Sequence, residues 1–414
     1  MLALKAKTTY TIFSYTEHIG DKRVTISMYE TTFELRKFVA PEFIMGVDAR
    51  LLAGIYAKNL GASHVFLVTG KNIIKAGWVR DVIESLESEG IRYTLYSDIS
   101  SNPRDYEVMK GAALYREAGC DAVVVIGGGS PMDCAKGIGI VVSNKKNILE
   151  FKGVDNIPIP APPLICIPTT AGTAADVSQF AIINDTEHKV KIAIISKKIV
   201  PDISLLDPVP LTSMTSELTA HTGMDAIVHS VEAYVSNASS PVTDIQALES
   251  IRLLNTYLPL AYHHPDTIEY RYKTMLGSLL AGLAFSNASL GAVHAMAHSL
   301  GGFSDLPHGE CNALLLETVI DYNFEVCENR YASIGKAMNS GCSSDNPEEI
   351  KQNLLSALQD IRTEIGITHR LGDLGVRRED IHELAKKAYH DPCLATNPRQ
   401  LTVSDLEKLY ERAL

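Results

Sequence analysis

A chain of 414 residues exceeds what one ordinary hydrophobic core serves, so two domains are the expectation. It is 46% hydrophobic and 21% charged, the balance of a soluble globular protein, and its net charge of −11 opposes binding to nucleic-acid phosphates or to an anionic membrane. Seven scattered cysteines without a CxxC pair indicate neither a zinc ribbon nor a disulfide framework; together with an N-terminus lacking a signal-peptide pattern, they suit a reducing cytoplasm.

Residues 8–36 alternate around a break at Gly20-Asp21, which predicts a hairpin-like extension over 1–37, an added edge element or oligomer contact. From residue 38 the rhythm becomes strand, helix, strand. HVFLVTG (64–70) reads as a strand, 72–90 as a helix, RYTLYSD (92–98) as a strand and 105–120 as a helix. DAVVVIGGGS (121–130) is a strand buried by composition and runs into a helical segment; PLICIPTTAGT (163–173) is another strand ending in a Thr/Gly turn. Apolar strands in repeated βα units predict a parallel sheet covered on both faces, here a dinucleotide-binding α/β domain over 38–209. After LLDPVP (205–210) strands stop, and 210–414 reads as an all-helical domain with amphipathic stretches at 243–262, 268–285, 349–365 and 379–389. The apolar stretch 275–302 carries Ser286, Asn287, Ser289, His294 and His298, so it reads as buried helix rather than a membrane span.

Two turns are suited to phosphate. GGGS (127–130) opens a helix after a strand, where backbone N–H groups approach an anion and the helix N-terminus favours its charge. The GxGxxG fingerprint is absent, because Met132 stands where its last glycine belongs. TTAGT (169–173) offers the hydroxyls of Thr169, Thr170 and Thr173 at the C-terminal edge of a second parallel strand, where open α/β sheets bind ligands.

The helical half holds the remaining chemistry. Asp225 and His229 share a helix face at i, i+4, as do His294 and His298, and His308 follows in LPHGE. A lone buried histidine is more often a satisfied core residue than a ligand. Four histidines and an aspartate in apolar surroundings reverse that expectation, since each otherwise needs its own buried partner. Oxygen and imidazole donors without thiolate suit Fe(II), Zn(II), Co(II) or Mn(II). A zinc peptidase is excluded: its HExxH motif needs a glutamate where Ala295 stands.

In order along the chain, IGGGSPMDCAKGIGI, PTTAGTAADVS, TGMDAIVHSVEAY, AVHAMAHSLGGFSDLPHG and NPRQLT make a sequence that resembles the iron-containing (group III) alcohol dehydrogenases over roughly residues 38–414. The resemblance implies a dinucleotide-binding α/β domain followed by a helical metal domain. It implies Asp225, His229, His294 and His308 as metal ligands, with Fe2+ as the metal and Zn2+ as the other candidate. His298 is implied beside the metal, as the catalytic residue relaying the proton. Gly128, Gly129, Ser130 and Asp133 fall on the family's pyrophosphate and nicotinamide turn, Thr169, Thr170 and Thr173 on its threonine turn, and Lys191 on its cofactor-contacting lysine. Two positions depart from the pattern. Thr69-Gly70-Lys71 replaces Thr-Asp-Lys, which removes a carboxylate that repels a 2′-phosphate and makes NADP as admissible as NAD. Asp176 replaces a common glutamate, with a modest local effect expected.

The implied activity is reversible hydride transfer between a small alcohol or aldehyde and a nicotinamide cofactor, with the metal as Lewis acid, in a cytoplasmic homo-oligomer that has no nucleic-acid or membrane partner. The alternatives are a glycerol dehydrogenase-like or dehydroquinate synthase-like member of the same superfamily, or a non-catalytic assembly protein retaining the fold. Phe285 and Phe303 are candidate pocket residues that core packing explains equally well.

Overall fold

The computed structural model describes residues 16–19, 22–25, 36–188, 190–304, 306–339 and 346–414, without the side chains of 16–19, 22–25 and 303–304. The chain forms two units, 1–38 and 39–414. In the first, β1 (Thr16–Ile19) and β2 (Lys22–Thr25) pair antiparallel, with Thr16 opposite Thr25. The hairpin expected from alternation is present over these eight residues; its flanks and the Gly20-Asp21 break lie outside the described residues.

The second unit begins with β3 (Glu42–Met45), α1 (Ala53–Asn59), β4 (His64–Thr69), α2 (Lys71–Ala76), α3 (Trp78–Ser88), β5 (Arg92–Tyr96), α4 (Asp105–Ala118), β6 (Ala122–Gly127) and α5 (Gly129–Asn144). β7 (Gly153–Val154), β8 (Leu164–Pro168), β9 (Phe180–Asp185), β10 (Val190–Ile195) and β11 (Ile203–Leu206) follow. Six of these strands form a wholly parallel sheet in the order β3-β11-β8-β6-β4-β5. Every residue of β4, β6 and β8 is buried, because both faces are covered. Phe66, Val68, Val123 and Val125 join a core with α4 and α5 on one face, while Val65, Leu67, Val124 and Ile126 join one with α1 and α3 on the other. The chain lays β5 on one side of β4 and then β6 on the other. The strand order therefore reverses between β4 and β6, the place where such sheets open a ligand crevice.

Two elements differ from expectation. The single helix read over 72–90 is two, α2 and α3, broken where Gly77 adopts φ 91° and its N–H bonds back to Ile74. β9 and β10 form an antiparallel pair, joined by β7 into a small second sheet. Asp185 closes the turn after β9 by accepting the Glu187 and His188 N–H groups.

After Leu206 the described chain is helical: α6 (Ser216–Val235), α7 (Pro241–His263), α8 (Ile268–Ala288), α9 (Ala292–Ser304), α10 (His308–Asn323), α11 (Glu328–Ala337), α12 (Pro347–Glu364), α13 (Ile381–Tyr389) and α14 (Val403–Ala413). The junction is pinned. Buried Asp207 accepts from Arg50 Nη1 at 2.6 Å and caps Val209 at 2.9 Å, and Arg50 also reaches Asp81 and Asp48. No single described helix is long and apolar enough to cross a membrane. α8 and α9, the apolar stretch noted in the sequence, bend by 100° at Ser289 and are buried.

Candidate functional site

The helical half concentrates its buried polar groups at one point. Thr215 caps α6 through Leu218 N–H, and fifteen of its twenty residues are buried, Asp225 and His229 among them. α9 supplies His294 and His298. Its start is fixed by Asn397, in the NPRQLT segment, whose Oδ1 accepts the Ala292 and Asn323 donors. His308 is the first residue of α10, immediately after Pro307.

His229 Nε2, His294 Nε2 and His308 Nε2 lie 3.7, 3.6 and 3.7 Å from one oxygen, Asp225 Oδ1. These separations exceed a hydrogen bond. They are close to the ~3.4 Å expected between ligand atoms whose ~2.1 Å bonds meet at tetrahedral angles on one ion. Asp225, His229 and His294 have ligand atoms all within 4.8 Å of one another, and His308 joins them through Asp225; His298, Asp391 and Cys393 form a second such group.

The electrostatics indicate what the cluster lacks. Burial pushes His229 down to about 4 and His308 well below its ordinary range. Burial opposes charge on His294 as well, but the Asp225 and Glu232 carboxylates push it up to about 9. Burial likewise opposes ionisation of Asp225, and the facing imidazoles nevertheless hold it well below the usual carboxylate range. A buried carboxylate facing imidazoles, two of which burial keeps neutral, calls for positive charge. The donor set of three imidazoles and one carboxylate fits a divalent ion.

The ring orientations agree. Glu232 Oε2 sits 2.6 Å from His294 Nδ1, and Glu232 Oε1 accepts the Val293 N–H at 2.7 Å. A carboxylate at Nδ1 keeps the proton there and leaves the Nε2 lone pair facing Asp225. Phe285 stacks on His229 with centroids 4.2 Å apart, and His229 stacks on His294 at 4.6 Å. Phe285 thus braces a candidate ligand, and the Phe303 side chain lies outside the described residues.

His298 stands beside the cluster, its ring stacked on His308 with centroids 5.3 Å apart. Its Nδ1 is 2.9 Å from Asp391 Oδ2. Asp391 also accepts the Cys393 N–H at 2.8 Å; burial works against its charge, yet His298 and that N–H hold it below the ordinary carboxylate range.

The candidate dinucleotide residues gather at the C-terminal edge of the parallel sheet. Gly70 and Lys71 follow β4, Gly128 to Ser130 follow β6, and Thr169 to Thr173 follow β8, three adjacent strands. The last two turns touch. A Cβ on Gly129 would lie 2.8 Å from Thr173 Cγ2, and one on Gly128 would lie 3.2 Å from Thr170 Cγ2, so the bare glycines let backbone and threonines approach. Ser130 Oγ donates to the Ser101 carbonyl. Thr169 Oγ1 is buried without a hydrogen-bond partner among the described residues. Burial pushes Asp133 up to about 7 against the pull of Lys136 and Lys191. Lys191, on β10, reaches α9: a Cβ on Gly301, one turn past His298, would lie 2.8 Å from Lys191 Nζ. Gly70 has φ −98° and ψ 151°, backbone that any residue adopts, and a Cβ there would meet nothing nearer than 3.8 Å. Lys71 is 3.2 Å from Asp98, which also takes Lys110 at 2.9 Å. Asp176 is buried and accepts from Ser204 Oγ at 2.7 Å, which ties the threonine turn to β11.

Sequence reasoning did not reach Glu232, Asp391, Cys393 or Asn312, which surround the candidate residues. Spacing offered a signal for two: Glu232 is three residues after His229, and Asn312 four after His308.

The chain matches two family models, "iron-containing alcohol dehydrogenase" over residues 40–208 and "Fe-containing alcohol dehydrogenase family, C-terminal" over 219–414. It is 37% identical over 370 residues to the 1,3-propanediol dehydrogenase of Klebsiella pneumoniae, covering 89% of this chain and 96% of that one. To the NAD-dependent methanol dehydrogenase of Bacillus methanolicus it is 34% identical over 377 residues, covering 91% and 99%. A crystal structure of a 1,3-propanediol oxidoreductase superposes with a TM-score of 0.90 at 36% identity, covering 92% of this chain and all of that one. Fold, buried cluster and similarity agree, and the chain belongs to the iron-containing alcohol dehydrogenase family, as a metal-dependent alcohol oxidoreductase.

Proposed function

We propose that this chain transfers hydride reversibly between the carbon of a small alcohol or aldehyde and a nicotinamide, NAD or NADP, with Fe2+ (or Zn2+) held by Asp225, His229, His294 and His308. The observation that carries the reading is the convergence of three imidazoles on one buried carboxylate oxygen. When bound, the cation supplies Lewis acidity at the substrate oxygen and the nicotinamide supplies the hydride acceptor.

The chain's own residues do the rest. Glu232 fixes the tautomer of His294, and Phe285 holds the plane of His229. Asp391 accepts a hydrogen bond from His298 Nδ1–H, which leaves Nε2 to accept the alcohol proton, and its negative charge stabilises the resulting imidazolium. The N–H groups of Gly128, Gly129 and Ser130 open α5 and receive the diphosphate, with Thr169, Thr170 and Thr173 beside them. Asp133 and Lys191 flank the nicotinamide, Lys191 from the α9 side. Gly70 and Lys71 meet the adenosine ribose, where the absent carboxylate admits a 2′-phosphate. The 38–209 and 210–414 segments act as cofactor and metal domains. The enzyme works in the cytoplasm as a homo-oligomer.

An activity matrix tests this proposal. NAD(P)H formation is expected with short primary alcohols or diols, and only in metal-loaded protein. No alcohol-dependent reduction of either cofactor by metal-loaded protein would contradict it.

A further inference from the structure

Asn312 lies at the centre of the cluster and appears in none of the roles above. It is on α10, one turn past His308 and on the same face, and is fully buried. Its Nδ2 is 2.7 Å from Asp225 Oδ1, 3.2 Å from His294 Nε2 and 3.2 Å from His308 Nε2. One side-chain amide thus touches three of the four candidate ligands at the very atoms that face one another.

Chemistry fixes which way the amide points. Turned over, its oxygen would stand 2.7 Å from a carboxylate oxygen, acceptor against acceptor. As placed, the donor meets acceptors. The cost is a buried Oδ1 with no hydrogen-bond partner among the described residues. A group that leaves its own acceptor unmatched to aim its donor at Asp225 is committed to Asp225.

We propose that Asn312 is a positioning residue for the metal centre: its amide donates to Asp225 Oδ1 and holds that oxygen where the three imidazole nitrogens converge. The inference rests on the metal reading above. A carboxylate oxygen has lone pairs for both a donor and an ion, so the Asp225 contact persists when a cation binds. The imidazole Nε2 atoms have one lone pair each, so their weaker contacts with Asn312 belong to the metal-free chain. The amide therefore prearranges the ligands and afterwards keeps the carboxylate in place.

The test is metal affinity rather than turnover. Full-length wild type, Asn312→Ala and Asn312→Leu are stripped and titrated with Co2+ and Zn2+ against a competing chelator, and the visible spectrum of bound Co2+ is recorded. The expected result is a Kd raised about 10–100-fold in both variants, with an altered Co2+ spectrum. Asn312→Leu fills the amide's volume and carries the test if Asn312→Ala does not fold. A Kd within twofold of wild type, or tighter binding, overturns the proposal, the latter because the amide would then compete with the ion. Wild type that binds no metal overturns the metal reading and the Asn312 role together, whereas wild-type binding with unaffected variants overturns the Asn312 role alone.

Discussion

At the scale of single residues, Gly70 is the position where structure sharpens what sequence left open. A glycine ending a strand could serve only to make the turn tight. Its extended backbone and the room for a Cβ, which would make only ordinary contacts with Pro131 and Ile73, remove that explanation. Gly70→Asp should therefore fold without strain and place a carboxylate where a 2′-phosphate would sit. A partly buried like-charge contact is worth a few kcal/mol, so the NADP/NAD ratio of kcat/KM should fall about tenfold to a thousandfold. Equal losses with both cofactors would show that the position does not set the preference. Lys71 shares its charge with Asp98, so the substitution, rather than Lys71, should dominate the outcome. The pairs Asp225/His229 and His294/His298 were legible as pairs because their i, i+4 spacing encodes a shared helix face. Their supports were not: Glu232 belongs to the α6 turn of His229 yet serves His294, 62 positions away. Asp391 serves His298 from 93 positions away. Such pairings depend on how helices pack, which local spacing does not determine.

At the scale of elements, the cluster depends on α10 lying hard against α6. Beside His308, a Cβ on Gly309 would stand 2.1 Å from the His221 backbone carbonyl oxygen, and backbone cannot swing aside as a side chain can. Gly309→Ala should push the first turn of α10 outward and carry His308 with it. Overpacking of this kind costs about 1–3 kcal/mol, so the thermal midpoint of metal-stripped protein should drop and metal binding should weaken. A variant with wild-type midpoint and wild-type Kd would show that α10 can shift without disturbing the site. Element identity was largely legible, since buried strands such as AVVVIG and long amphipathic helices declare themselves by composition and period. The breaks were harder to read. Gly77 splits one helical pattern through its left-handed backbone, and the β9–β10 pair hides among apolar segments that suit several arrangements.

At the scale of the molecule, the larger unit brings two chemistries to one place. The sheet's C-terminal edge presents the three turns proposed to take the cofactor, and the helices present a buried cluster that calls for a cation. They meet where Lys191 lies against α9 and where Gln179 Nε2 donates to the Ser286 carbonyl of α8 at 2.7 Å. Neither half supplies both partners of a hydride transfer, so the packing of one on the other is what the reaction requires. The central claim is that a divalent metal held by Asp225 and three histidines is needed for that transfer. Stepwise anaerobic addition of Fe2+ to stripped wild type and stripped Asp225→Ala, following bound metal and alcohol-dependent NAD(P)H formation together, tests it most directly. The account predicts an inactive stripped enzyme, activity that rises with bound metal and saturates at one Fe2+ per chain, and neither binding nor turnover in Asp225→Ala. Full turnover by stripped wild type, or wild-type binding and turnover by Asp225→Ala, would contradict it.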